Sequence, residues 1–290
     1  MMSTVRRISH AVACAVAALA IAVPVHAQGK SGGKGHKSSP PSSSALPNPA
    51  VGPASGASPL SWLDDASLLA PGAMSLTVSA VRWSGTDLDE TDFPVVNAAV
   101  GLAPRFQIGV SVPRVVGSAD GTGPTGGVGT SYLSGKIALL TGASSGVKVA
   151  VSPMIEILGE GAVQAIPAGE SRMQVGLPIS LEISQGTARV FASTGVFSRG
   201  AWFAGGGVGV QATPRVGASM SLTRAWGGAD ASGVVRDRRE LSGGVAYSVS
   251  PRVAVYGSLG RTITTTDDNG AGTTVGAGVS FLMAPPPRKK

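Results

Sequence analysis

The sequence predicts an all-β chain that closes into an antiparallel transmembrane β-barrel of about twelve strands. Three observations carry this: hydrophobicity alternates with period two, the alternating runs are long, and the joins between them alternate short and long. Met173, Val175, Leu177, Ile179, Leu181 and Ile183 alternate with Arg172, Gln174, Gly176, Pro178, Ser180 and Glu182, so one face is apolar and the other polar or small. Phe106, Ile108, Val110 and Val112 repeat the pattern, as do Val275, Ala277, Val279 and Phe281.

Taken in order, the chain opens on a targeting signal over residues 1–27. A short basic stretch ends at Arg7, an apolar run covers Ala11 to Val25, and Val25-His26-Ala27 is a small-residue cleavage site. Cys14, the only cysteine, lies inside this signal, so the mature chain is expected to have no disulfide and no thiol chemistry. Residues 28–60 are dominated by Gly, Ser, Pro and Lys, too little apolar area to offset chain entropy, and are expected to form a disordered periplasmic leader. Residues 61–72 form a short pre-barrel segment, a turn of helix lying against or inside the barrel mouth.

The barrel is expected over 73–283. Its strands fall near 73–83, 93–103, 105–115, 128–140, 146–158, 171–183, 187–198, 201–213, 214–226, 238–250, 251–262 and 272–283. Most exceed the five or six residues usual in soluble strands and suit roughly 9–11 residues crossing a bilayer at a tilt. Ala103-Pro104-Arg105, Thr213-Pro214-Arg215 and Ser250-Pro251-Arg252 are tight turns. Longer polar joins fall at Ser84–Asp92, Gly117–Gly127, Gly159–Glu170, Gly227–Asp237 and Ile263–Ala271. Short turns on the periplasmic side and long loops outside are the outer-membrane pattern. A basic, proline-rich tail, 284–290, ends the chain.

Trp83, Phe93, Phe197, Trp202, Phe203 and Trp226 all fall at strand ends nearest the long joins, where they are expected to form an outer aromatic girdle. Pro113, Pro153 and Pro178 sit within strands, each removing one ladder donor. Pairing 146–158 with 171–183 about their loop sets Pro153 opposite Gly176 and Pro178 opposite Val151. The expectation there is a bulge, or a weak patch of wall through which an apolar solute passes sideways.

Function classes narrow by elimination. The formal charge is +7, yet residues 61–287 hold 15 Lys plus Arg against 16 Asp plus Glu, without a basic stripe for nucleic acid. His10, His26 and His36 all lie in the signal or leader, leaving the barrel no imidazole for hydrolysis or zinc. Ile137 to Gly146 imitates a dinucleotide turn, with Tyr132 and Lys136 nearby, but a strand follows where a helix is required. Asp87, Asp89, Glu90 and Asp92, and Asp267 with Asp268, could bind Ca²⁺, although acidic loops are usually only solvated. No catalytic, cofactor-binding or metal residues are assigned, and the chain is read as a non-enzyme.

The inward positions are largely small, such as Ser75, Thr77, Ser79, Gly205, Gly207 and Gly209, which suggests a hollow interior. Lys148, Glu156, Arg172, Glu182, Arg189 and Arg252 are the expected pore-lining charges, tuning passage or bracing the wall. The expected role is passive uptake of small solutes across the outer membrane of a Gram-negative cell, with outer-membrane lipid, lipopolysaccharide, the barrel-assembly machinery and the solute as partners. Alternatives are a non-transport structural or interaction barrel and a soluble secreted all-β protein.

The unit Val100-Gly101-Leu102-Ala103-Pro104-Arg105-Phe106-Gln107-Ile108-Gly109-Val110-Ser111-Val112-Pro113 resembles the strand-turn-strand unit of the phenol-degradation meta-pathway transporter family, outer-membrane proteins of porin-like type. The stretch from Asp64-Asp65 to Pro71-Gly72, leading into Met74-Ser75-Leu76, is similar to their opening. The resemblance implies a barrel of this size that passes hydrophobic or aromatic compounds. It departs at the C-terminus, where Phe281 is followed by Leu282 to Lys290 instead of closing the chain.

Overall fold

The computed structural model describes residues 66–283 apart from 87–88, 119–125, 143–145, 160, 162–170, 230–234 and 267–269. The expected signal, leader and tail, with residues 61–65 of the pre-barrel segment, lie outside the described residues. The strands are β1 (Met74–Ser84), β2 (Asp89–Ala103), β3 (Phe106–Ser118), β4 (Gly127–Val128), β5 (Ser131–Thr141), β6 (Val147–Val151), β7 (Met154–Ile157), β8 (Met173–Gly176), β9 (Ile179–Gln185), β10 (Ala188–Val196), β11 (Ala201–Thr213), β12 (Val216–Ala229), β13 (Val235–Ser250), β14 (Val253–Thr265) and β15 (Thr273–Met283).

All pairings are antiparallel and belong to one sheet. β15 pairs with β1 and β3 pairs with β5, so the sheet closes on itself. β6 with β7, and β8 with β9, are each one wall strand interrupted at a proline, and β4 is a short addition to β3. The wall therefore has twelve strands.

Burial shows which side faces what. Ile108, Val110, Leu133, Val175, Val208, Met220, Val245 and Leu259 are all exposed, while Ser79, Lys136, Ser180, Glu182, Ser193, Glu240 and Thr274 are buried. This inverts the arrangement of a soluble sandwich, in which greasy faces meet. An apolar exterior running round a whole barrel far exceeds the few hundred Å² that a water-facing surface tolerates. The exterior therefore suits lipid, and the soluble alternative falls with it.

The turns follow from local chemistry. β9 and β10 are joined by a two-residue turn in which Gly186 has φ 59°, the positive φ that mirror-image hairpin turns need. The three Pro-Arg turns cannot use that geometry, because the proline ring fixes φ near −65°. Each instead carries a register shift beside it, at Gly101/Ala103, Gln211/Thr213 and Ser248/Ser250. The dinucleotide-like stretch is likewise a strand end, a turn at Gly142 and Gly146, and then β6.

The proline patch differs from expectation by one residue. Val151 pairs with Ile179 and Met154 with Gly176, which puts Pro178 opposite Ser152 and Pro153 opposite Leu177. Register is the same on both sides of the break, so no bulge forms between these two strands. Each proline still accepts: Ser152 N–H donates to Pro178 O at 2.8 Å and Gly135 N–H to Pro153 O at 2.9 Å. The wall loses two donors there and stays bonded.

Inside, glycines and rings fit together. Phe191 lies directly opposite Gly207, Phe203 opposite Gly195, Phe197 opposite Gly176 and Tyr256 opposite Gly278. A Cβ on Gly207, Gly195 or Gly176 would stand 2.6 Å from the facing phenyl ring, closer than carbon atoms approach. Each ring occupies the space a side chain on its facing glycine would take, a cross-strand pairing that covers an otherwise bare stretch of ladder. These inward glycines therefore seat aromatic rings; they do not simply leave space.

Candidate functional site: the lumen and its strap

The segment before β1 turns inward. Gly72 N–H donates to Gly101 O at 2.7 Å and Ala73 N–H to Ala70 O at 2.9 Å. Leu69 N–H reaches the inward Gln107 Oε1 at 2.8 Å. Gly101 makes room, since a Cβ there would lie 2.4 Å from Ala70 O. Ser67 then meets the far side of the wall: its hydroxyl donates to Glu182 Oε2 and accepts from Lys148 Nζ, both at 2.8 Å. Lys136 Nζ donates to Ser67 O at 3.3 Å.

β1 and the β6–β9 pair lie on roughly opposite sides of the ring, and the few residues from Ser67 to Met74 span the distance between them. The segment is thus a strap across the short-turn mouth of the barrel. Its described part, 66–72, has no regular secondary structure apart from a turn at Pro71-Gly72, where the sequence predicts a turn of helix. Of the two placements expected, against the mouth or inside it, the described part takes the second.

Lys148 and Glu182 are register partners on β6 and β9 and form an ion pair at 2.8 Å. Ser184 Oγ adds a donor to the same carboxylate at 2.8 Å. Glu182 is 2% exposed, and a charge so buried demands this density of partners. Nearer the long-loop end a second inward row runs across β5, β7 and β8: Tyr132, Glu156 and Gln174 are successive register partners. Tyr132 Oη–H donates to Glu156 Oε1 at 3.0 Å, and the Gln174 amide to the other oxygen. Arg189 lies over the Phe191 ring, 5.3 Å from its centroid.

Four of the six expected lining charges, Lys148, Glu156, Glu182 and Arg189, therefore face the interior. Arg172 and Arg252 do not line it. Arg172 is exposed at the rim just before β8, and Arg252 is exposed in the β13–β14 turn. Both share the inward parity of their neighbours, but each lies beyond the wall, where alternation no longer aims a side chain.

The aromatic set divides. Phe93 and Trp202 are 53% and 48% exposed, and Trp226 lies opposite Trp202 on the same outer face. Trp83, Phe197 and Phe203 are buried inside, a correction to the girdle. Their parity matches inward Ser79, Ser193 and Gly205, and parity outranks nearness to a strand end. Trp83 packs under Arg238, 5.3 Å from its ring, and Arg238 donates to Thr262 Oγ1 at 2.8 Å beside the buried Glu240.

Sequence reasoning missed Lys136, Tyr132, Arg238 and Ser67 as interior groups, and placed Gln174 on the polar face without singling it out. The alternation of 128–140 places Tyr132 and Lys136 on the inward face, a signal hidden by reading them as an enzyme pair. No periodic signal marks Ser67. Among the described residues no group of three or more His, Cys, Asp or Glu is gathered for a metal. Asp87, Asp267 and Asp268 lie outside the described residues, and Asp89 takes a hydrogen bond from Ser84 and lies 3.9 Å from Arg82.

Comparison with solved structures fits this geometry. An outer-membrane channel of Pseudomonas putida F1 superposes with a TM-score of 0.60 over 76% of this chain and 98% of its own, at 16% identity. The fold is that of outer-membrane channels. The NanC porin matches at a TM-score of 0.51, 11% identity, 71% of this chain and 98% of its own. The KdgM porin, solved with disordered oligogalacturonate, matches at 0.50, 9% identity, 72% of this chain and 99% of its own. No family model and no curated protein matches the sequence. At these identities what is shared is the barrel.

Proposed function

We propose that this chain is an outer-membrane channel for passive passage of small solutes, with hydrophobic or aromatic compounds among the candidates. The observation that carries the reading is the closed wall with its apolar side outward and its Ser, Thr, Lys and Glu side enclosed. The strap sets the constriction at the short-turn mouth, where Lys136, Lys148 and Glu182 flank any passing solute, and Glu156 and Arg189 add charge along the wall. Planar-bilayer recording of refolded protein tests it. Discrete conductance steps are expected, and their absence at any voltage or salt would end the channel reading.

The strap itself favours a second reading, a barrel closed at one mouth that anchors the envelope or presents its long loops. Protein lacking residues 1–70 separates the two. A channel conducts in both forms, more widely without the strap, whereas a closed barrel conducts only after the strap is removed.

A further inference from the structure

We infer that the outer surface of β12–β15 and β1–β3 carries a docking arc for the phosphorylated headgroups of outer-leaflet glycolipid. The inference rests on the membrane reading above and is independent of conduction. Its basis is the placement of Arg82, Arg114, Arg224, Arg239 and Arg261, all exposed.

Each stands on the greasy face of its strand, a few residues from the long-loop end. The next residue on the same face toward the membrane is apolar and exposed for all five: Ala80, Val112, Leu222, Leu241 and Leu259. Arg224 is directly opposite Arg239, and Arg261 is opposite Leu241. Arg82 is opposite Val275, itself opposite Leu259. From β12 round to β1 the position thus drifts gradually toward the short-turn end. Tilted, staggered strands require such a drift to hold one height. The arginines share a level at the upper edge of the apolar belt.

That level is confined to one side. On β5–β10 the cations of the strands, Lys136, Lys148 and Arg189, all point inward, and the outward positions of the same strands carry no Lys or Arg among the described residues.

The composition of the arc indicates its ligand. All five cations are arginine, whose planar fork matches phosphate oxygens in pairs and whose stem can lie along apolar surface while the head reaches water. Exposed Val116 and Ile263, just beyond Arg114 and Arg261, put those two within the interfacial layer. Two outward carboxylates accompany the five arginines: Asp237 holds Arg224 at 2.6 Å and Asp89 lies 3.9 Å from Arg82. The arc remains positive. Trp202 and Trp226 flank it, and Arg224 stacks 5.1 Å from the Trp226 ring centroid. A ligand that meets the belt below and the arc above must be amphipathic, with acyl chains under an anionic head.

The test uses the refolded full chain in detergent and reads the midpoint of its heat-modifiable gel transition. Bisphosphorylated lipid A, the same lipid without phosphates, and inorganic phosphate are added in parallel. Only the bisphosphorylated lipid is expected to raise the midpoint, because a ligand that binds the folded state stabilises it. The gain should be lost in the triple variant Arg82→Gln, Arg239→Gln, Arg261→Gln. It should persist in a control carrying Arg105→Gln, Arg215→Gln and Arg252→Gln at the short turns.

An equal gain in both variants, or from the dephosphorylated lipid, overturns the inference. A full gain from inorganic phosphate replaces lipid with an ion site, and a dimer that the triple variant alone dissociates assigns the arc to self-association. The folded band on the same gel reports whether each variant folds. Conductance in zwitterionic bilayers, recorded on the same samples, separates the two readings: lipid stabilisation without conductance removes only the channel, and conductance without stabilisation removes only the arc.

Discussion

The two halves of the wall treat charge in opposite ways. From β5 to β10 two wall strands are cut by prolines into short pieces, and the lysines and arginine of these strands point into the lumen. From β11 round to β3 every strand runs uninterrupted, and most of their arginines point out, with Arg238 held inside against Trp83. One half turns its cations toward the lumen and the other turns most of its cations outward. The difference teaches that a barrel's charge count says little until each residue is assigned a side.

Placing a cation on the outer face of β5–β10, whose described outward strand positions carry none, should have the largest effect. Ile179→Arg on β9 is expected to cost about 2–4 kcal/mol, the penalty for arginine on a lipid face near mid-bilayer, read by guanidinium unfolding in lipid vesicles. A cost near zero would mean that this face is wetter than its composition implies. Next in size is a change to the glycine-and-ring packing. Gly207→Val brings Cβ to 2.4 Å from Met220 O and 2.6 Å from the Phe191 ring, and overpacking of this kind costs about 1–3 kcal/mol. Wild-type stability in the same assay would show that the ring simply swings away.

A smaller effect is expected at the strap. Ser67→Ala removes the hydroxyl that links Lys148 to Glu182, a loss of about 1 kcal/mol for hydrogen bonds to charged groups that keep each other as partners. Single-channel current should rise or flicker more, whereas unchanged current would separate the strap from the constriction. The smallest effect belongs to Arg224→Gln. Its pair with Asp237 is exposed, and in lipid-free detergent the change should stay within about 0.5 kcal/mol. A larger loss there would make the outer arginines structural and blunt the contrast between halves.

The strand plan was legible because the bilayer imposes two constraints that sequence records directly: strands long enough to cross, and strict alternation between lipid and lumen. Val208, Val210, Met220 and Leu222 could be assigned outward from pattern alone. The aromatic residues were harder. Trp83 and Trp202 both sit near strand ends, and only counting parity along each strand separates the buried one from the exposed one. The proline patch was placed on the right strands but one residue out of register, since loop length does not fix the pairing of the strands it joins. Ser67 was not legible at all. Its role depends on strands far along the chain, and a strap without regular structure has no period.

The strap also bears on how the protein reaches its finished state. Ser67 is held by Lys136, Lys148 and Glu182, which belong to β5, β6 and β9. Those strands follow it by many tens of residues, so the contact cannot form until much of the ring stands. Until β9 joins the wall the near mouth would stand agape, and the opening would narrow only once those three strands are in place.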